Sequence, residues 1–285
     1  MVSPGRAISC GMATMVFGAI GMLGSQRLTH LAGFAAILSS GTLLAAAGFG
    51  QSLLTASLLY YLPSSTLAVS ALFLLADLVD RWRNDGTNLA AYEQDDEAPF
   101  LDSELIPTQG LNLDDDEEVL IGRVIPAAAA FLGLAFMLCT LVIAGLPPLS
   151  GFVGKVAMLT ALLNPLGLGQ SEGLPPSPLG WTLLALMIGT GLLALIALTR
   201  SGIRHFWASH GRATPPLKVL EGAPIALLLA SCVALTVQAG PVMHFTQATA
   251  QALHAPARYV HAVMSAIPLP NPSTMPLASP QKEAP

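Results

Sequence analysis

Seven long apolar runs constrain this 285-residue chain more than any other feature. An α-helix rises about 1.5 Å per residue, so roughly 20 apolar residues cross the ~30 Å hydrocarbon core of a membrane. Only 10% of the residues are charged, whereas a soluble domain has about 25%, and the mean hydropathy is +0.64. We therefore predict an all-α fold, a polytopic membrane helix bundle of about seven transmembrane helices. The apolar runs are residues 8–24, 28–49, 52–79, 124–146, 149–163, 179–199 and 223–239.

Charge and proline content divide the chain into segments. Of the 17 acidic residues, 14 lie between Asp77 and Glu118, so the net charge of −5 belongs to one loop. The sequence has no basic patch, which argues against a nucleic-acid partner. The predicted segments are three transmembrane helices in residues 1–80, an acidic extramembrane loop at 81–123, helices four to seven at 124–240 with a broken helix at 145–163, a short interfacial segment at 241–266, and a disordered, proline-rich tail at 267–285.

The basic residues predict an orientation. If the chain crosses the membrane seven times, Arg6 and the arginines that follow the sixth run, Arg200 and Arg204, lie on one side. Arg27 and Arg81 lie on the other side. Basic residues in short loops favour the cytoplasmic side, and by this count the side of Arg6 is weakly favoured as cytoplasmic.

The segment AGLPPLSGFVGKVAML, residues 144–159, interrupts an apolar region with two prolines. Pro147 and Pro148 have no N–H group, so the carbonyls of Ile143 and Ala144 lose their helical hydrogen-bond partners. Irregular backbone at membrane depth occurs only where it is buried in protein or lines a water-filled cavity. If a helix restarts near Pro147, the next charged residue lies about 12 Å further into the membrane.

That charged residue is Lys155, and between Val124 and Thr199 the only other one is Glu172. A lysine at the centre of a membrane helix costs roughly 2.5–3.5 kcal/mol on insertion scales, so packing alone gives no reason to keep it. Burial disfavours the charged form of a lysine, which allows it to take up and release a proton near neutral pH. We predict a proton-relay or ion-pathway residue. The alternative is a static lysine paired with a carboxylate for assembly.

Other polar groups give weaker signals. Ser64, Ser65 and Thr66 follow Pro63, and their hydroxyls either line a polar path or bond back to their own helix. Asp77 either joins that path or pairs with Arg81 four residues later. The three cysteines and six histidines form no metal-ligand pattern and no catalytic pair, so we predict neither a cofactor nor an enzyme. Gly18, Gly21 and Gly24 share a helix face and are interpreted as a packing surface.

Three segments together resemble one known family. They are AGLPPLSGFVGK with the following VAML, LYYLPSSTLAVSALFLLADLV at residues 59–79, and VALTVQAGPVMHFTQATAQALHAP at residues 233–256. They resemble the D subunit of the Mrp-type, or Pha-type, multisubunit monovalent cation/proton antiporters. The antiporter-like subunits of respiratory complex I are part of the same superfamily. The resemblance implies two inverted five-helix repeats, each with one helix broken within the membrane.

The resemblance also implies roles for particular residues. Lys155 falls on the terminal charged position of the second broken helix, where it would act in a mid-membrane proton relay. The residues that fall on the break itself are Gly145, Pro147, Pro148, Ser150 and Gly151. The implied function is a multi-pass subunit of the bacterial inner membrane that couples proton movement to efflux of Na⁺ or K⁺. Its implied partners are the other antiporter subunits and the lipid bilayer.

The chain departs from the family pattern in two ways. It has about half of the family's helices, equivalent to the eighth to the fourteenth, and lacks the glutamate and broken-helix lysine of the first repeat. Ser64 stands where relatives often have histidine, and Val69 near where wider relatives have lysine. We expect either a truncated reading frame or a partner half on a separate polypeptide. The alternative functions are a proton-pumping subunit of a complex I-type NADH-quinone oxidoreductase and a non-transporting scaffold remnant.

Overall fold

The computed structural model describes residues 4–95, 127–165, 177–207 and 219–265, and within these ranges the secondary structure is helical, without strands. The helices are α1 (Pro4–Gly24), α2 (Leu28–Gly48), α3 (Ser52–Asp95), α4 (Ala127–Ala144), α5 (Ser150–Leu163), α6 (Pro178–Gly202), α7 (Val219–Val237), α8 (Ala239–His254) and α9 (Pro256–Met264). A π-helical turn, Ile203–Trp207, extends α6.

The seven apolar runs correspond to α1–α7, so the predicted all-α bundle is confirmed. Five segments of the described chain are long and apolar enough to cross a membrane: Gly5–Gly24, Leu28–Gly48, Ser52–Arg81, Pro178–Phe206 and Leu220–Val237. Two apolar helices, α4 and α5, are shorter.

The contacts between helices define two ends of the bundle. At one end, here called the basic end, Thr29 of α2 donates to Asp80 of α3 at 2.7 Å. Arg200 of α6 donates there to the Leu23 carbonyl of α1. Helices α1 and α6 therefore finish at the basic end, the apolar part of α3 ends there, and α2 begins there. Helix α7 also begins there, because its Glu221 lies 3.4 Å from Arg81.

Helices α4 and α5 together make a single crossing. The ring of Phe136 in α4 lies 5.4 Å from that of Phe206, at the basic end. The last carbonyl of α4, that of Ala144, faces Gly191 in the middle of α6. Helix α5 begins beside Ser64, near the middle of the apolar part of α3, and runs toward the opposite end of the bundle, with Gly154 packed on Tyr61 about one turn further on. The break therefore lies at mid-depth.

This geometry corrects two sequence-based expectations. The second half of the broken helix begins at Ser150 rather than near Pro147, so Lys155 is about 7.5 Å beyond the restart. Because α4 and α5 share one crossing, Arg6 and Arg200 lie at opposite ends of the bundle. The expectation that these two arginines lie on the same side of the membrane was therefore wrong.

The first two helices pack closely through glycines. A Cβ atom on Gly18 would lie 2.7 Å from the Leu38 backbone nitrogen, and one on Gly21 would collide with the Phe34 ring. These two glycines confirm the packing interpretation. Gly24 does not take part in this close packing, because a Cβ atom there would have no neighbour within 4 Å.

The described residues include only part of the predicted extramembrane segments. Helix α3 continues to Asp95, so the first part of the predicted acidic loop is helical. Residues 81–95 contain one glycine and no proline, so little interrupts helical hydrogen bonding there. Residues 96–126 and the tail at 267–285 lie outside the described residues. The segment 241–266 carries most of α8 and all of α9, and its interfacial location stays a prediction.

Candidate functional site

The break begins where α4 ends in a glycine with a left-handed backbone. Gly145 has φ +78°, a conformation that is unfavourable for residues with a Cβ atom. Its N–H donates to the Leu141 carbonyl at 3.0 Å, and the N–H of Leu146 donates to the same oxygen at 2.9 Å. This turn is one of the common ways to end a helix, and it directs the chain into the two prolines.

Lys155, on the other side of the break, contacts the end of α4. Its Nζ donates to the carbonyls of Ile143 and Ala144, each at 2.9 Å. These are the two carbonyls whose helical partners would have been the N–H groups of Pro147 and Pro148. The lysine therefore replaces the missing donors and places its positive charge at the negative, C-terminal end of α4.

Three glycines make room for this arrangement. A Cβ atom on Gly145 would collide with the Lys155 side chain, and one on Gly151 would collide with the Val142 carbonyl. On α6, a Cβ atom at Gly191 would lie 3.1 Å from the Ala144 carbonyl oxygen and 3.6 Å from Nζ. Sequence reasoning identified Gly145 and Gly151 but missed Gly191. A small residue within an apolar helix was its only signal.

A cavity of about 240 Å³ lies beside the lysine, between the end of α4, helix α5 and the middle of α6. Its lining is apolar except for Lys155 and backbone groups. Ile188 and Leu192 form part of one wall and are each 57% exposed. The cavity therefore reaches the outer face of the bundle next to α6.

The serines of α3 and α5 meet at the start of the second half-helix. The hydroxyls of Ser64 and Ser150 lie 2.8 Å apart, and both residues are fully buried. Ser65 and Thr66 do not reach the break, because their hydroxyls donate to the Leu62 carbonyl of their own helix at 3.1 and 3.0 Å. Of the three proposed polar-path hydroxyls, the structure brings only that of Ser64 to the site.

Asp77 lies away from the break. Its carboxylate is 3.0 Å from Arg81, one turn later in α3, and its side chain is 67% exposed at the basic end. Among the described residues, the ion pairs are those of Arg81 with Asp77 and Glu221. The carboxylate-paired alternative for Lys155 thus has no partner in the described part of the chain, and Glu172 lies outside it.

Comparison with known proteins found no matching family model. One similar protein is the probable K(+)/H(+) antiporter D subunit of Rhizobium meliloti (strain 1021). It is 42% identical over 259 residues, which are 91% of this chain and 46% of that protein. The chain thus spans about half the length of this curated relative.

Two solved structures share the fold. The Mrp complex from a Dietzia species matches with a TM-score of 0.59 and 19% identity, covering 87% of this chain and 23% of that one. Respiratory complex I from Thermus thermophilus matches with a TM-score of 0.57 and 19% identity, covering 87% of this chain and 44% of that one. Together with the 42% identical relative, these likenesses confirm the resemblance predicted from the GLPPLSGFVGK segment. The chain is therefore a multi-pass membrane protein that is similar, over most of its own length, to the D subunit of a K(+)/H(+) antiporter.

Proposed function

We propose that this chain acts as a membrane subunit of a monovalent cation/proton antiporter and that Lys155 takes up and releases a proton at the break. The observation that carries the proposal is the position of Nζ at mid-depth, bonded to two backbone carbonyls rather than to a carboxylate among the described residues. The name of the Rhizobium relative supports exchange of K⁺ for protons. Coupling to efflux of K⁺ or Na⁺ and assembly with other antiporter subunits belong to the same proposal.

The hydrogen bonds allow the lysine to change its charge without leaving its position. An ammonium group has three N–H donors, and the carbonyls of Ile143 and Ala144 accept two of them. The third proton is available for transfer. A neutral amine still has two N–H groups, so both hydrogen bonds to α4 persist after the proton has left.

The adjacent cavity supplies a route for that proton. Its volume of about 240 Å³ exceeds the roughly 10–15 Å³ that a cavity needs on this measure to hold one water molecule. The carbonyls at the end of α4 and the amine provide hydrogen-bonding partners for such water. Proton exchange would proceed between Nζ and water in this cavity, and then to a group on a neighbouring subunit or in solution.

Substitution by arginine separates a proton relay from a static cap. A guanidinium group stays charged at any physiological pH, so Lys155→Arg keeps a cation near the end of α4 but cannot release a proton. We expect Lys155→Arg and Lys155→Ala to abolish cation/proton exchange in everted vesicles while the complex still assembles. Asp77→Asn, which removes a charge from an exposed ion pair at the basic end, is the matched control and should leave exchange intact.

Two outcomes would contradict the relay. Normal exchange by Lys155→Arg would show that the charge is needed only as a fixed cap on α4. Normal exchange by Lys155→Ala would show that the chain serves its complex as a scaffold. Co-purification of the partner subunits with each variant distinguishes lost transport from lost assembly.

A further inference from the structure

A second cavity, of about 420 Å³, lies at the turn between α1 and α2, at the basic end of the bundle. Gly21 and Gly24 of α1, residues 25–27 of the turn, and His30 and Phe34 of α2 line it. It is separate from the break at Lys155. Because it joins the ends of two apolar spans, it lies where the hydrocarbon core meets the polar boundary of the membrane.

One arginine lines this cavity, and two more lie beside its lining. Arg27 is exposed and lines it, and Arg204, in the π-helical turn that follows α6, donates to the side-chain oxygen of Gln26 at 2.5 Å. Arg200 donates to the neighbouring Leu23 carbonyl. In the described part of the chain, none of these three arginines has a carboxylate partner. Each guanidinium has five N–H donors, so most of them are free to bind an anion.

The inner side of the cavity is apolar and continues along α1. Gly24 leaves open space, and Phe34 forms the floor. The Phe17 ring packs edge-on against Phe34 with the ring centroids 5.9 Å apart. Phe17 and Ile20, which are 60% and 61% exposed, lie on the face of α1 that leads from the cavity toward the middle of the membrane.

We propose that this cavity binds an anionic phospholipid, with the phosphate at the arginines and an acyl chain along Phe17 and Ile20. Arginine binds phosphate through paired, charge-assisted hydrogen bonds, and basic pockets between membrane helices suit anionic headgroups. A free phosphate ion would use only the rim. The apolar track favours a lipid, because it offers a surface for hydrocarbon directly beside the charged groups.

The test uses the full 285-residue chain, purified in detergent and titrated with phosphatidylglycerol, phosphatidylcholine or inorganic phosphate. Retained lipid is measured by intact-protein mass spectrometry, and stability by the thermal unfolding midpoint. We expect phosphatidylglycerol to bind and to raise the midpoint, and the other two additives to have little effect. Arg27→Gln should weaken phosphatidylglycerol binding about fivefold, the effect of roughly one basic residue at a membrane surface.

Two further variants make the result specific. Gly24→Leu should also weaken binding, because its side chain fills a space that no protein atom occupies. Arg6→Gln, which removes an exposed arginine at the opposite end of the bundle, should have no effect. Equal binding of phosphatidylcholine, equal stabilisation by inorganic phosphate, or an equal loss in Arg6→Gln would each overturn the proposal. None of these measurements depends on ion exchange through Lys155.

Discussion

Gly191 leaves α6 without a side chain where the helix faces the end of α4. A methyl group there would sit 3.1 Å from the Ala144 carbonyl oxygen and 3.6 Å from the Lys155 Nζ. Alanine is the better helix former by about 1 kcal/mol, so Gly191→Ala should leave α6 intact while crowding the Ala144 carbonyl to which the lysine donates. If overpacking raises the barrier of the transport step by about 1–3 kcal/mol, exchange would slow roughly 5- to 150-fold.

The matched control for this variant is Gly189→Ala, two residues earlier on the same helix. A Cβ atom there would meet nothing within 4 Å, so exchange in everted vesicles should stay unchanged. Equal exchange rates in the two variants would show that the space around Nζ is not needed for transport.

The sequence was informative about this site wherever local rules apply. A proline always removes an N–H group, so the prolines in residues 144–159 identified the two unpartnered carbonyls, and the sparse charge around Lys155 identified the lysine. What satisfies those carbonyls was not predictable. The turn at Gly145 brings the lysine back onto the end of α4, and Gly191 approaches from a helix that is distant in sequence.

At the level of elements, one side-chain hydrogen bond joins the long helix α3 to the start of α5. Ser64 and Ser150 lie 2.8 Å apart in the core, and a buried hydrogen bond of this kind contributes about 0.5–1.5 kcal/mol. We expect a double-mutant cycle of Ser64→Ala and Ser150→Ala to give a coupling energy of about 0.6 kcal/mol or more, the average for membrane helices. Unfolding titrations of the detergent-solubilised protein measure it.

Ser65→Ala provides the comparison for this cycle. The Ser65 hydroxyl bonds within its own helix, to the Leu62 carbonyl, so its effect and that of Ser150→Ala should add without coupling. Additive effects for the Ser64 and Ser150 pair as well would show that the two hydroxyls contribute nothing jointly to the packing of α5.

The helices themselves were largely predictable, because each apolar run is long enough to form a stable helix and ends at polar or helix-breaking residues. Their arrangement was less so. The runs at 124–146 and 149–163 predicted two helices, and the chain has α4 and α5 there. Only their contacts with other helices show that α4 and α5 form one crossing. Phe136 of α4 packs against Phe206 at the basic end, and Gly154 of α5 packs against Tyr61 on the side of the break that faces the opposite end.

For the whole molecule, the single crossing that α4 and α5 share changes the expected orientation. Among the described side chains, the basic end carries Arg27, Arg81, Arg200 and Arg204, whereas the opposite end carries Arg6. Basic residues in short loops determine orientation, and acidic residues contribute little. We therefore expect the basic end to face the cytoplasm, although counting seven crossings from the sequence had weakly favoured the side of Arg6.

The two ends of α1 offer a symmetric test of this orientation. Gly5 and Gly24 are both exposed, and a Cβ atom at either would meet nothing within 4 Å. In a Cys10→Ser background, which removes the exposed cysteine while Cys139 and Cys232 stay buried, a membrane-impermeant maleimide should label Gly24→Cys only in everted vesicles. It should label Gly5→Cys only in right-side-out vesicles. The reverse labelling pattern would place the basic end outside the cell. In that case contacts with partner subunits, and not the arginines of this chain, would have to determine how the chain is oriented in the membrane.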